Sequence, residues 1–337
     1  MRTSFRFCIC LLLAVFSTGL VHAQPALQTA DLGECALENG GTIQDCTIGY
    51  RTAGTLNDER SNAILFPTWF SGTSEDLLNQ MGPHALVDTS RYHVIFVDAL
   101  GNGVSSSPST HTAQADSTFP VFTIEDMVHT QHRLLTEHLN IDSLHAVMGI
   151  SMGGMQTFAW MMQYPGFMDK AVPIAGTPRL TPQDRLLWRA QLRAFRTAAT
   201  PQQAMRTITA IHSLHLQTPT KLARMDSTEF REFFDAQESA ILEFDPHDWA
   251  WQLKAMLRHD IFDSFGGSLE NAADVVEADA IVVTVQEDHM VNPIPAQRFA
   301  ETLGAEELRL NTPCGHLGTG CKQDTVATTV RRFLRSD

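Results

Sequence analysis

Three residues in chain order carry the clearest chemistry in this sequence. They are Ser151 in Gly149-Ile150-Ser151-Met152-Gly153, Asp288 in Gln286-Glu287-Asp288-His289, and His316 in Cys314-Gly315-His316-Leu317. A serine hydroxyl is a poor nucleophile at neutral pH. It attacks a carbonyl when a histidine accepts its proton, and the histidine is held in the right tautomer by a carboxylate. Serine, acid and base in this order therefore point to acyl transfer through an acyl-serine. In a chain with 21 glycines the Gly-x-Ser-x-Gly pattern has little weight alone. Its position is what counts: it joins the apolar run ending in Val147-Met148 to a helical stretch, where a sharp strand-to-helix turn exposes a nucleophile. Glu287 and His289 are the rival acid and base. They are less well placed, because the acid is expected one step past the strand turn and the base must follow it.

Elements that could hold these residues are legible around them. Ala63-Ile-Leu-Phe-Pro, Tyr92 to Asp98, Leu144 to Gly149, Lys170 to Ala175 and Ala280 to Val285 are short runs rich in Val and Ile that end in Gly, Asp or a turn, as buried parallel strands do. Helical stretches such as Ile124 to Leu139 and Met155 to Gln163 separate them. The expected fold class is therefore α/β, a doubly wound, mostly parallel sheet. Residues 180–268 break the rhythm with four helical stretches and no strand, which predicts a helical cap inserted between core segments 24–179 and 269–337, over the sheet edge where such folds bind ligands. Asp288 and His316 each follow a late strand-like run, the second being Leu308 to Leu310.

With those motifs in place, the sequence resembles the homoserine O-acetyltransferase family of α/β-hydrolase enzymes. The resemblance rests on Tyr50-Arg-Thr-Ala-Gly-Thr-Leu-Asn57, Asn62-Ala-Ile-Leu65, Gly101-Asn-Gly-Val-Ser-Ser-Ser107, Ser151-Met-Gly-Gly-Met-Gln156 and Ala175-Gly-Thr-Pro-Arg179, and covers most of residues 47–337. It implies an α/β-hydrolase fold, a triad of Ser151, Asp288 and His316, and a two-step transfer. It also implies an oxyanion hole from the backbone N–H groups of Met152 and of Phe70, with Trp69 beside the substrate. Arg179 matches the family arginine expected near a substrate carboxylate. Its plainer reading is a surface arginine at the start of the cap. Two departures matter. The residue after the histidine is typically an aspartate that helps hold homoserine, and here it is Leu317; the first oxyanion loop reads Thr68-Trp69-Phe70-Ser71 rather than carrying the family histidine.

The remaining signals bound the setting. Arg2 and Arg6, the apolar run Phe7 to Leu20, and Val21-His22-Ala23 read as a secretory signal peptide over residues 1–23. Of the 6 cysteines, Cys8 and Cys10 fall in that leader, and the close spacings of the rest favour Cys35 with Cys46 and Cys314 with Cys321. The expectation is an exported, periplasmic or secreted, protein with no membrane association after cleavage. A net charge of −14, from 24 Lys and Arg against 38 Asp and Glu, argues against a nucleic-acid partner. No cofactor and no metal are expected: His129, His132 and His138 share a helix without a carboxylate partner, and Gly101-x-Gly103 is a turn after a strand. The expected partner is a small-molecule acyl substrate, with a homodimer through apolar cap residues of Leu186 to Phe195 as a further expectation. Export favours water over acetyl-CoA, a cytoplasmic donor, so hydrolysis of an ester or related acyl compound is the leading expectation. Homoserine O-acetyl transfer is the alternative and a non-catalytic binding protein of the same fold the second alternative.

Overall fold

The computed structural model describes residues 24–336; the signal peptide read at 1–23 lies outside the described residues. The strands are β1 (Gln28–Asp31), β2 (Cys35–Ala36), β3 (Thr42–Ile43), β4 (Thr47–Ala53), β5 (Ala63–Pro67), β6 (His93–Val97), β7 (Leu144–Ile150), β8 (Met168–Ile174), β9 (Asp279–Val285) and β10 (Glu306–Leu310). The helices are α1 (Ile124–Arg133), α2 (Met152–Gln163), α3 (Pro182–Thr197), α4 (Pro201–Leu216), α5 (Pro219–Leu222), α6 (Ser227–Leu242), α7 (Pro246–Arg258), α8 (Leu269–Ala273), α9 (Ile294–Leu303), α10 (Gly318–Cys321) and α11 (Gln323–Arg335).

Eight strands form one sheet in the order β1-β4-β6-β5-β7-β8-β9-β10. The pairs β1–β4 and β4–β6 are antiparallel, and every later pair is parallel. The inner strands are buried on both faces, as β5 is at every position, which is why they read as unbroken apolar runs. The last strand, Glu-Glu-Leu-Arg-Leu, carries charge along an outer edge, a composition that discourages pairing with another chain. One apolar layer forms beneath α1, α2 and α9 around Leu65, Val147, Met155, Phe158 and Phe299. The other forms beneath α11 around Phe96, Val172, Val283, Val330 and Phe333.

Helices α3 to α7 stand between β8 and β9. Helix α3 opens with a reciprocal cap, in which Thr181 accepts from the Asp184 backbone and Asp184 from that of Thr181. Helix α7 reaches back to the core: Trp251 Nε1 donates to the Phe119 carbonyl and Gln252 Nε2 to that of Leu100. Within Leu186 to Phe195, the side chains of Leu187, Trp188 and Leu192 are buried, and Leu186 is 73% exposed. The three histidines of the α1 region are in use locally. His132 stacks on Tyr164 at 3.9 Å, His129 hydrogen-bonds the same tyrosine's hydroxyl, and His138 meets Tyr50 edge-on. Among the described residues no helix is long and apolar enough to cross a membrane, and no group of acidic, His and Cys side chains could hold a metal ion.

Candidate active site

Ser151 occupies the one-residue turn between β7 and α2 at φ 57°, ψ −118°. A non-glycine residue there costs about 1–3 kcal/mol, so the surroundings must impose it. They do so through the Ser151 N–H, which donates to the Ile174 carbonyl at 2.8 Å, and the Ser151 carbonyl, which accepts from Met155 at 3.0 Å. The flanking glycines are required by contact. A Cβ on Gly149 would lie 2.2 Å from the Gly153 carbonyl oxygen, and one on Gly153 would lie 2.6 Å from that of Pro67.

The loops that follow β9 and β10, strands parallel to β7, complete the arrangement. His316 Nε2 is 2.9 Å from Ser151 Oγ, and His316 Nδ1 is 2.7 Å from Asp288 Oδ2. Asp288 is buried, and its other oxygen accepts from the N–H groups of Met290 and Val291. With no proton on Asp288, Nδ1 donates to it and Nε2 is left to accept the serine proton. Burial alone would depress the His316 pKa. The Asp288 charge and hydrogen bond outweigh it, assisted by the charge of Asp184, and raise it above the ordinary value. The histidine loop is stapled by the Cys314–Cys321 disulfide and tied to the cap where Thr218 Oγ1 donates to the Pro313 carbonyl. Cys35 pairs with Cys46, so both pairings expected from spacing form.

The main chain beside Ser151 offers donors for developing negative charge. Among the described residues the N–H groups of Phe70 and Met152 have no acceptor, Met152 being the first residue of α2, where a helix leaves its N–H groups free. The loop carrying Phe70 is held from several directions. Ser71, at φ 61°, donates its N–H to Gln252 of α7, Gln156 of α2 donates to the Thr68 carbonyl, and Asp98 accepts from the Ser74 N–H. The Gly101–Ser107 turn contributes to the same support, with Asn102 donating to the Gly72 carbonyl and to Asp98.

A cavity of about 440 Å³ opens at Ser151 and His316. Its walls are mostly apolar, among them Trp69, Phe70, Leu216, Met256, Met290 and Leu317, and of the described residues lining it none is Asp, Glu, Lys or Arg. A fold-family model, described as the alpha/beta hydrolase fold, matches residues 62–319, which span the elbow, the cap and the histidine. The chain belongs to the α/β-hydrolase family. It is 35% identical to a Corynebacterium glutamicum protein named as a probable esterase, over 88% of this chain and 91% of that one. It is 32% identical to the ethyl acetate hydrolase of Pseudomonas veronii, over 86% of this chain and 88% of the relative. Homoserine O-acetyltransferases are also relatives, that of Methanococcoides burtonii being 30% identical over 82% of this chain and 65% of its own. Among solved structures, an acetylester hydrolase from Corynebacterium glutamicum superposes with a TM-score of 0.86 at 28% identity, covering 92% of this chain and 96% of that one.

This α/β-hydrolase brings together most of the residues singled out in its sequence, with Arg179 standing apart. Ser151, Asp288 and His316 meet, Met152 follows the serine as the first residue of α2, and Trp69 and Phe70 line the same cavity as Ser151. The substrate role expected for Arg179 is corrected: it does not line the cavity. Its Nε lies 2.8 and 2.7 Å from the two carboxylate oxygens of Asp260, and its guanidinium lies over the Phe262 ring. The positions of the rival residues are filled by others, since the imidazole at Ser151 is that of His316 and the carboxylate it faces is that of Asp288. Four further residues that matter to the site were not singled out for a role in it. Asp184, Gln252 and His212 sit inside cap helices, and Gln156 inside α2. Of these, Asp184 had a readable signal in the Thr181-x-x-Asp184 capping pattern and Gln156 in the Ser151–Gln156 stretch that carries the resemblance, while Gln252 and His212 had none.

Proposed function

We propose that this α/β-hydrolase is an exported carboxylesterase that hydrolyses small, uncharged esters through an acyl-Ser151 intermediate. The observation that carries the reading is the uncharged lining of the cavity. A homoserine zwitterion or the phosphates of coenzyme A would enter with no side chain of opposite charge to repay their lost hydration, whereas a neutral ester gives up little. Leu317, 41% exposed at the cavity wall, occupies the position where an aspartate would hold the amino group of homoserine. Similarity to an ethyl acetate hydrolase and to an acetylester hydrolase supports the same direction. The two disulfides are compatible with an oxidising compartment, as export requires.

In this reading Ser151 Oγ attacks the ester carbonyl while its proton passes to His316 Nε2. The oxyanion accepts from the N–H groups of Phe70 and Met152, each contributing about 3 to 4 kcal/mol. Collapse breaks the bond to the alcohol, which leaves with the proton from His316. Water then attacks the acyl-enzyme, gives a proton to His316, and the second collapse returns that proton to Ser151 and releases the acid. The test compares turnover of ethyl acetate and p-nitrophenyl acetate with turnover of acetyl-CoA plus homoserine, using Ser151→Ala as control. Ester hydrolysis lost in the variant, without homoserine-dependent release of free coenzyme A, is expected. Homoserine-dependent consumption of acetyl-CoA overturns the reading, and ester hydrolysis that survives Ser151→Ala removes the assigned nucleophile. Export is checked separately by the N-terminus of the protein recovered outside the cytoplasm, expected at Gln24.

A further inference from the structure

Besides Ser151 and His316, the described polar side chains lining the cavity are Ser71, Gln80, Thr319, Gln323 and His212, and His212 is the one set among aromatic rings. His212, on α4, lines it with its ring enclosed by Phe70, Trp188 and Trp249, at centroid distances of 6.2, 6.5 and 5.2 Å. Its Nδ1 faces the side-chain nitrogen of Gln191 at 3.5 Å. The orientation of that amide is decided on its far side, where Gln191 Oε1 accepts from the indole N–H of Trp249 at 3.1 Å. The flipped amide would put N–H against N–H. A chain of directed bonds therefore runs from the indole through the amide to Nδ1, which must accept, and this leaves the imidazole proton on Nε2. Among the described residues Nε2 has no protein partner, and the three aromatic rings around it offer none. Burial, assisted by the nearby positive charge of His316, depresses the His212 pKa to about 3, so the ring is neutral across the working range.

We infer that His212 is a specificity-determining residue, an uncharged Nε2–H donor in the cavity that selects esters carrying a second acceptor oxygen besides the scissile carbonyl. The inference rests on the ester reading above and narrows it to a substrate class: neutral esters with an ether, hydroxyl or carbonyl oxygen elsewhere in the molecule. That oxygen could belong to the alcohol or to the acyl part. The chemistry recognised is the same in both.

The experiment compares pairs that differ by one oxygen for one methylene. On the alcohol side these are 2-methoxyethyl acetate and butyl acetate, on the acyl side ethyl methoxyacetate and ethyl butyrate. Intrinsic reactivity cancels when the kcat/KM ratio within a pair is compared between the wild-type enzyme and its variants. In one pair the oxygenated-to-plain ratio is expected to fall about five- to tenfold in His212→Phe, the range of one neutral hydrogen bond, and to recover in part in His212→Gln, which restores an N–H donor. The pair that responds identifies the side. Ratios unchanged within twofold in both pairs overturn the inference, including the case in which all four esters slow together, since that is the result of a packing role. Should His212→Phe fail to fold, imidazole nitrogen NMR of the wild-type protein, assigned through His212→Gln, decides: a neutral Nε2–H tautomer at pH 6 supports the inference and an Nδ1–H or charged ring overturns it. If the wild-type enzyme hydrolyses none of the four esters, the ester reading itself falls. If it hydrolyses them and the ratios do not respond, only the role of His212 does.

Discussion

Asp184 and Asn292 join the cap to the loop that carries Asp288: the carboxylate of Asp184, the third residue of α3, accepts the Asn292 N–H at 2.9 Å, four residues beyond Asp288. The same carboxylate accepts from the N–H and hydroxyl of Thr181 at the start of α3. One buried side chain thus fixes both the beginning of the cap and the end of the loop that presents the acid, and its charge is felt at His316.

Asp184→Ala is therefore expected to cost about 2 kcal/mol of stability, from a lost cap and a stranded buried N–H, and to lower kcat. A purely structural role would stop there. Because the Asp184 charge helps raise the His316 pKa, the variant's acidic limb of kcat/KM is expected to move to lower pH; an unmoved limb would show that the two groups are not coupled.

The reaction needs neutral His316, whose pKa stands above its ordinary value, so ester turnover is expected to fall as pH drops through a midpoint above 6.5. The stability linkage has the opposite sense. A histidine pKa raised in the folded state stabilises the protein fully below the unfolded value, and the gain is lost as pH rises through the folded one. Asp288→Asn removes the largest raising influence. The expected result is an acidic midpoint at lower pH and a kcat reduced on the order of 10³–10⁴-fold, measured by a pH–rate profile with p-nitrophenyl acetate.

The two disulfides are expected to behave differently. Cys314 and Cys321 bracket His316, and replacing both by Ser releases the loop that sets the 2.9 Å approach to Ser151. The unfolded-state cost is about 2 to 3 kcal/mol, while kcat is expected to fall at least tenfold even where the protein remains folded. Cys35–Cys46 staples the hairpin region of β2 and β3, and its double Ser variant is expected to lose stability with kcat unchanged. Equal loss of kcat in both variants would contradict the positional argument.

Asp248 of α7 is buried and holds the Ser109 N–H and hydroxyl. Burial pushes its carboxyl up to about 6, against the lowering effect of those two bonds. Above that value it is ionised in both states and the folded state bears the desolvation, so Asp248 lowers stability by on the order of 2 kcal/mol at neutral pH. This penalty shrinks between pH 6 and 4 and is absent below. Asp248→Asn, which keeps a bond to the Ser109 N–H, is expected to raise the melting temperature at pH 7.5 and to leave it nearly unchanged at pH 4. A gain of equal size at both pH values would sink the explanation.

Much of this was legible because the chemistry sits where the chain must announce it. Ser151 and Asp288 each follow an apolar strand run, His316 follows the short strand-like stretch Leu308 to Leu310, and the turn that exposes a residue at a strand end has its own composition. The sheet was readable from β5 to β9 for the same reason, since strands buried on both faces are unbroken apolar runs, whereas the edge strand β10 showed only its Leu308 to Leu310 end. The strand β4, half-buried and antiparallel, has weaker contrast, and β1 and the two-residue strands β2 and β3 have almost none. Arg179 misled because its partner Asp260 lies 81 residues away across the cap, a pairing that no local pattern encodes. His212 and Gln191 were invisible for a related reason: their meaning comes from the packing of α3, α4 and α7 together, and a polar residue within an amphipathic helix looks the same whether it meets water or a cavity.

The contact between Gly153 and the Pro67 carbonyl sets a division of labour. Helix α2 lies so close to the end of β5 that a single added carbon would collide, and Gln156 links the same two segments through the Thr68 carbonyl. The approach of the Met152 and Phe70 main chains is thus set in part by the Gly153 contact and the Gln156 side chain, and neither Gly153 nor Gln156 lines the cavity. Selection can then rework the wall at Leu317 without disturbing this contact, whereas Gln252 of α7, which accepts the Ser71 N–H, ties the same loop to the cap. A scaffold arranged in this way can pass between acceptors, water in one lineage and an amino-acid hydroxyl in another, while its reaction machinery stays in register.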